Sequence, residues 1–202
     1  MKAPGAGQDR GNLYANTAMA YGNDVLKAHF VRGILTGEIN MCLLYSEPGA
    51  GSDLAGIRTR AELKGDNYIV NGQKVWTSGA MTADYGMLIA RTDWDAAKHG
   101  GISFFFLPMK QPGVEVRPLR QVTDESHFNE VFITDAVCPV DNRLGAEGAG
   151  WRVLQTALAY ERSVMGDGAR GPRNASAKVS LIDLARDAGK LTDPVLRQDL
   201  AR

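Results

Sequence analysis

The order of residues predicts an α+β chain, a central antiparallel β-barrel or two packed sheets flanked by α-helical segments. Three observations carry this. Apolar residues between positions 13 and 36 recur at helical spacing. From Met41 to about residue 135 the chain breaks into short apolar or alternating runs punctuated by Gly and Pro. From Gly148 onward the spacing turns helical again.

In chain order, Asn23 is placed to cap a helix that carries Leu26, Phe30, Ile34 and Leu35 on its apolar positions, and Gly37 to end it. Strands are expected at Met41 to Tyr45, Ile57 to Lys64, Tyr85 to Arg91, Ile102 to Leu107, Val114 to Leu119 and Glu130 to Thr134. Tyr68-Ile69-Val70 and Gln73-Lys74-Val75-Trp76 flank Asn71-Gly72, a dipeptide that predicts a hairpin turn because both its residues tolerate positive φ. After Gly148, Trp151, Leu154, Leu158 and Met165 fall on one side of a helix, and Gly166 to Pro172 predicts a break. A second helix follows through Val179, Ile182 and Leu184, with Gly189 at its end. Asp193-Pro194 supplies a capping Asp and a first-turn Pro for a third. That helix stops barely two turns in, which reads as a chain cut inside a larger fold.

Composition narrows the function classes. The 202 residues, 44% of them hydrophobic, suit a globular chain. Lys+Arg and Asp+Glu number 23 each, so net charge gives no pull toward nucleic acid or an acidic membrane surface. No apolar run reaches bilayer length, and Met1 to Asn12 lacks the form of a signal peptide. Cys42 and Cys138 stand far apart without a nearby Cys or His, which suits two reduced core thiols in a cytoplasmic protein rather than a metal site. His29, His99 and His127 are scattered and read as surface or satisfied histidines.

The segment that asks for a ligand is Ser46-Glu47-Pro48-Gly49-Ala50-Gly51-Ser52-Asp53. Its small residues let backbone approach a ligand closely, successive N–H groups can face an anion, and Ser52 adds a hydroxyl. On its own a tight turn with an Asp cap explains it equally well. The spacing is neither the dinucleotide fingerprint nor a P-loop.

The run Leu44 to Ala55 resembles the signature of the acyl-CoA dehydrogenase family. Asn71-Gly72-Gln73-Lys74-Val75-Trp76-Thr77-Ser78-Gly79 is similar to that family's second flavin-contacting strand, in the expected order and spacing. The likeness continues through Gly101 to Phe105, Pro112-Gly113-Val114, Val137-Cys138-Pro139, Leu144-Gly145 and Gly148 to Trp151. It implies the end of an N-terminal helical domain at 1–40, a middle β-domain holding the flavin and acyl-CoA site at 41–145, and an incomplete C-terminal helical domain at 146–202.

It also implies FAD as cofactor. Ser46, with neighbouring backbone such as Tyr45, matches the contact to the pyrimidine side of the flavin. Gly51 and Ser52 match the segment near the pyrophosphate and the acyl-pantetheine channel. Trp76 matches an aromatic packed on the flavin, although an ordinary buried strand aromatic is the simpler reading of that residue alone. Thr77 and Ser78 match donors near N5, where arriving hydride places negative charge on the ring. The family often has Thr at the Ser46 and Ser78 positions; Ser keeps the hydroxyl. The implied base for the α-proton is a glutamate. Most members carry it beyond the stretch seen here, and a minority place it where Glu161 stands in Leu158-Ala159-Tyr160-Glu161-Arg162. Arg162 resembles an arginine near the CoA nucleotide, and Ser103 is a weaker candidate for a CoA contact. Arg117, Arg120 and Arg143 read as surface charges.

The resemblance leaves three readings open: an acyl-CoA dehydrogenase passing electrons to an electron-transfer flavoprotein, an acyl-CoA oxidase on the same fold, and a catalytically incomplete fragment or binding module. It implies a homo- or hetero-oligomer in the full-length form.

Overall fold

The helix after Asn23 forms where the capping chemistry places it. The computed structural model describes residues 11–168, 185–190, 192–195 and 198. The helical stretch near the start is two helices, α1 (Gly11–Tyr21) and α2 (Asp24–Thr36), parted at Gly22-Asn23. Asn23 caps α2, its Oδ1 accepting from Leu26 N at 2.7 Å. Gly37 ends α2 at φ +78°, a left-handed C-cap that glycine adopts without steric cost.

The strands are β1 (Met41–Leu44), β2 (Arg60–Lys64), β3 (Asn67–Ser78), β4 (Tyr85–Arg91), β5 (Ile102–Pro108), β6 (Val114–Leu119), β7 (Phe128–Pro139) and β8 (Arg143–Leu144). They form one eight-stranded sheet in the order β6-β7-β3-β2-β4-β5-β8, with β1 paired to β4. The barrel expectation is corrected, because the terminal strands β6 and β8 do not pair with each other. The purely antiparallel expectation is corrected too: β1 and β2 both run parallel to β4, β1 along Tyr85 to Leu88 and β2 at Arg91. β1 and β2 therefore share one edge of β4 end to end, and the chain between them, residues 45–59, leaves the sheet as a loop.

The sheet curls over itself without closing. One face of β4–β5 (Met87, Ile89, Phe104, Phe106) packs with Leu13, Phe30 and Ile34 from the first two helices. It also meets Val153, Leu154 and Ala157 of α3 (Gly150–Gly168). The other face (Leu88, Ala90, Phe105, Leu107) packs against Tyr68 and Val70 of β3 and Val131, Ile133 and Cys138 of β7. The Tyr68 and Phe105 rings lie 4.8 Å apart although β3 and β5 are not neighbours in the sheet. Burial on both faces explains why β4 and β5 read as continuous apolar runs.

The predicted hairpin at Asn71-Gly72 is wrong. β3 runs straight through it, and the turn between β2 and β3 falls at Gly65-Asp66, with Gly65 at φ +59°. The Asn-Gly pair marks a register shift against β7. Asn71 exchanges hydrogen bonds with Asp135, Nδ2 donating to its Oδ1 and Oδ1 accepting from its N, both at 2.9 Å. Gly72 is required because a Cβ there would stand 2.7 Å from Thr59 Cα. The dipeptide's local preference is thus used for a bulge and a close crossing, not for a reversal.

The chain divides into two compact units, Met1–Met165 and Gly166–Arg202. α3 continues into the break expected at Gly166 to Pro172, ending at Gly168, and residues 169–172 lie outside the described residues. In the second unit Asp193 Oδ1 accepts from Val195 N at 2.9 Å, the cap expected there, and Gly189 takes φ +66°. Val179, Ile182 and Leu184 lie outside the described residues.

Candidate functional site

The loop of residues 45–59 is fastened at its base and open at its tip. Ser46 O accepts from Val75 N at 2.9 Å, which seats the loop beside β3. Glu47 and Ala50 exchange backbone hydrogen bonds at 2.9 and 3.0 Å, closing a turn with Pro48 and Gly49 exposed. Asp53 pairs with Lys98 at 2.6 Å. The buried Arg91 donates to Ala55 O at 2.8 Å. Between these anchors Gly51 and Ser52 are exposed. Neither Gly49 nor Gly51 has a positive φ, and a Cβ on either would meet nothing within 4 Å. No crowding among the described residues demands glycine at these positions, and the space beside them is open.

Beneath the loop lies a pair of residues that sequence reasoning missed. Lys74 is fully buried, its Nζ donating to Tyr45 O at 3.0 Å and to Glu47 Oε1 at 2.9 Å. Glu47 also accepts from Arg58 N at 2.7 Å and Thr59 N at 2.9 Å. Burial pushes the Lys74 ammonium down to about 8, partly opposed by the Glu47 carboxylate. Burial raises the Glu47 carboxyl, but the Lys74 charge and the donors from Thr59, Arg58 and Lys74 outweigh it and hold the group below its ordinary value. A lysine on the inward register of β3, after Tyr68 and Val70, was the available signal. Its partner 27 residues earlier was not visible in the sequence.

Trp76 occupies a bulge. Lys74 pairs with Val131 and Thr77 with Asn129, so β3 carries one more residue than β7 across this interval. Trp76 takes φ +61° and is 62% exposed. The reading of an ordinary buried strand aromatic is therefore corrected. A left-handed conformation costs a non-glycine residue about 1–2 kcal/mol, and such strain concentrates where ligands bind. The Trp76 ring meets Phe128 edge-on at 5.9 Å. Next to it Thr77 Oγ1 is buried with no hydrogen-bond partner among the described residues, as is Oδ1 of Asn129, whose Nδ2 donates to Thr77 O at 2.9 Å. Buried polar atoms are normally paired, so these two await a donor or acceptor. Ser78 is half-buried. An exposed indole, an unpartnered hydroxyl and an open glycine loop suit a flat aromatic cofactor with hydrogen-bonding edges and a phosphate tail, which is what FAD presents.

Two expected site residues face inward. The Tyr45 ring is in the helix-facing core, 6.0 Å from Phe104, so its backbone is the part beside the loop. Ser103 is fully buried, its hydroxyl 2.8 Å from Thr92 Oγ1 and accepting from Gly148 N at 2.9 Å. Its geometry secures the approach to α3, which revises the CoA contact expected of it.

On α3, Leu154 and Ala157 are buried and Glu161 continues the same stripe one turn on, half-buried. Arg162 is exposed. Arg143 is not a simple surface charge: it donates to Tyr68 Oη at 2.5 Å and to Gly145 O at 3.2 Å. Arg117 and Arg120 are exposed and paired with Glu115 and Asp124. An open cleft of about 840 Å³ runs beside the loop, lined by Glu47, Gly49, Arg58, Gly72, Gln73 and Phe132 among others.

Both cysteines are free and buried, and burial pushes the Cys42 thiol up to about 12 and raises that of Cys138. These are poor nucleophiles. Among the described residues no His, Cys, Asp and Glu cluster could hold a metal ion, and no helix is long and apolar enough to cross a membrane.

A mixed sheet with an open loop and a strained, exposed aromatic defines a cofactor-binding β-domain flanked by helices. Residues 42–136 match the middle domain of acyl-CoA dehydrogenases. The acyl-CoA dehydrogenase IpdE1 of Mycobacterium tuberculosis is 41% identical over 94% of this chain and 49% of its own length. Among solved structures, the Tcur3481-Tcur3483 steroid ACAD shares 38% identity at a TM-score of 0.75, covering 95% of this chain and 49% of that one. The ChsE4-ChsE5 complex of M. tuberculosis shares 41% at 0.67, over 73% and 38%. Over these stretches the chain is similar to the acyl-CoA dehydrogenase family. It spans about half the length of the curated relatives it matches.

Proposed function

We propose that this chain supplies the flavin-facing β-domain, and the first helix beyond it, of an FAD-dependent acyl-CoA dehydrogenase that forms an α,β double bond in an acyl-CoA thioester. The observation that carries the reading is Trp76, exposed at φ +61° on a strand hydrogen-bonded to the Ser46 loop. In this reading Ser46 and its neighbouring backbone hold the pyrimidine edge of the flavin, and Trp76 packs on the ring. Thr77 and Ser78 donate near N5, and Gly51 with Ser52 accommodates phosphate and the acyl-pantetheine arm. FAD supplies the acceptor for the β-hydride. Glu161, half-buried on the stripe of α3 that carries Leu154 and Ala157, takes the α-proton. Arg162, one residue on, points away from Glu161 and serves the CoA phosphates.

Residues 41–145 are the middle domain in this scheme, between helical parts at 1–40 and 146–202. The ChsE4-ChsE5 complex and the Tcur3481-Tcur3483 steroid ACAD, each named for two proteins, favour an oligomer. An electron-transfer flavoprotein is the proposed acceptor, and the cytoplasm the proposed location.

Titration of the chain with FAD tests the cofactor. Uptake should appear as a structured absorbance near the flavin maximum that weakens in Trp76→Ala; no uptake at all makes this chain a module that cannot hold flavin by itself. Anaerobic reduction of bound FAD by acyl-CoA then tests the base. Undiminished reduction in Glu161→Gln places the base elsewhere. Steady peroxide release in air assigns an oxidase instead.

A further inference from the structure

The buried Lys74–Glu47 pair sits where stability alone does not call for it. A fully desolvated lysine and a carboxylate with 9% exposure are expensive to bury, and well-packed apolar residues commonly replace such pairs at no loss of stability. What an apolar pair could not do is hold backbone. Lys74 Nζ grips Tyr45 O and Glu47 Oε1, the residues on either side of Ser46, while Ser46 O is held by Val75 N. The Glu47 carboxylate reaches across to Arg58 N and Thr59 N, at the far end of the same loop. One carboxylate thus joins the entrance and exit of the loop, and one ammonium fixes Ser46 from both sides. Lys74 is also the last residue in register before the bulge that carries Trp76.

We propose that Lys74 and Glu47 are positioning residues that clip the Ser46 loop to the Trp76 bulge, so that the two walls of the flavin site keep one fixed separation. This rests on the flavin reading of the site. The Gly49–Ser52 tip stays free to meet the ligand, while the clip sets where the tip begins and ends. Loss of either partner leaves the other charge buried, so the single variants lower stability for a trivial reason. The informative variant is Lys74→Met/Glu47→Leu, which removes both charges and fills the space with apolar groups.

Three measurements on wild type and this double variant test the proposal: urea unfolding, amide hydrogen exchange, and FAD titration. The clip predicts that the double variant regains a near wild-type urea midpoint. Its amides at 47–59 and at Val75 nonetheless exchange about tenfold faster or more, while those of β4 and β5 are unchanged. FAD affinity then falls about tenfold or more, because placement errors near 1 Å at a binding site are felt that strongly. Glu47→Gln, which keeps the side-chain volume and one acceptor, should lower the urea midpoint but fall between the two in exchange at 47–59 and in FAD affinity, even if the double variant folds poorly. If exchange at 47–59 stays at the wild-type rate in these variants, the clip is overturned. If FAD affinity returns together with the urea midpoint, the pair is structural only and the positioning role is overturned. Wild type that takes up no FAD, with fast exchange in the double variant, keeps the clip as a device of the loop and withdraws the claim that it sets a flavin site in this chain alone.

Discussion

Replacing Trp76 by Ala and by Gly separates backbone strain from aromatic contact. Both variants lose the same edge contact with Phe128 and the same modest burial, since Trp76 is 62% exposed. They differ only in whether a Cβ must be held at φ +61°. In an ordinary strand Gly is less stable than Ala by about 0.5–1 kcal/mol, because it loses more backbone freedom on folding. In the left-handed region the Cβ costs Ala about 1–2 kcal/mol. The two effects oppose each other, and the strain is the larger. Trp76→Gly should be more stable than Trp76→Ala by about 0.5–1 kcal/mol, the reverse of the usual strand order. With a urea slope of about 2–3 kcal/mol per M for a chain of this size, that is a midpoint difference of ~0.3 M. Urea unfolding followed by far-UV circular dichroism measures it. If Trp76→Ala equals or exceeds Trp76→Gly in stability at equal slopes, the bulge does not hold residue 76 at positive φ, and the strain argument for a ligand-facing indole fails.

Three further outcomes follow from the same geometry. Gly51→Ala should leave the unfolding free energy within about 0.5 kcal/mol of wild type, since its Cβ meets nothing within 4 Å, yet weaken FAD uptake by crowding the ligand's approach. Unchanged uptake would remove Gly51 from the site. Gly72→Ala should destabilise by about 2 kcal/mol or more, because its Cβ would stand 2.7 Å from the Thr59 backbone, and a neutral effect in thermal unfolding would contradict that close crossing. Lys74 titrates near 8 when folded against 10.5 ordinarily, so between those values the unfolded chain binds more protons. Its contribution to stability therefore rises with pH across that window, by about 3 kcal/mol in all. The difference in unfolding free energy between wild type and Lys74→Met should grow from pH 8 to 10.5; a flat difference would show that the ammonium is not desolvated.

Much of the architecture was legible because it rests on local chemistry. The Asn23 cap, the Gly37 terminator and the Asp193-Pro194 start are each set within one helical turn, so the residues alone place them. β4 and β6 have the bounds their apolar runs indicate, and β5 extends one residue further, to Pro108. Asn71-Gly72 failed for the opposite reason. Its φ preference is real, but Thr59 crossing beside Gly72 and the Asp135 exchange with Asn71 decide what the preference is used for. The barrel expectation failed similarly: strand count and turn spacing do not say whether β6 reaches β8. At the site, the loop and the Trp76 strand were visible as motifs. The exposure of Trp76, the inward turn of Tyr45 and Ser103, and the roles of Lys74, Arg91 and Asn129 were not, because each depends on a partner distant in sequence.

The sequence by itself determined where α2 begins and ends, the bounds of β4 and β6, and which segments, 46–53 and 76–78, are proposed for the site, since capping, alternation and motif spacing act between near neighbours. The tertiary structure alone decided that β1 and β2 share one edge of β4, which expels the loop between them. It alone decided that a buried ion pair ties that loop to β3, and that one extra residue opposite β7 turns Trp76 outward. Those outcomes come from pairing and desolvation between segments tens of residues apart, which no local preference encodes.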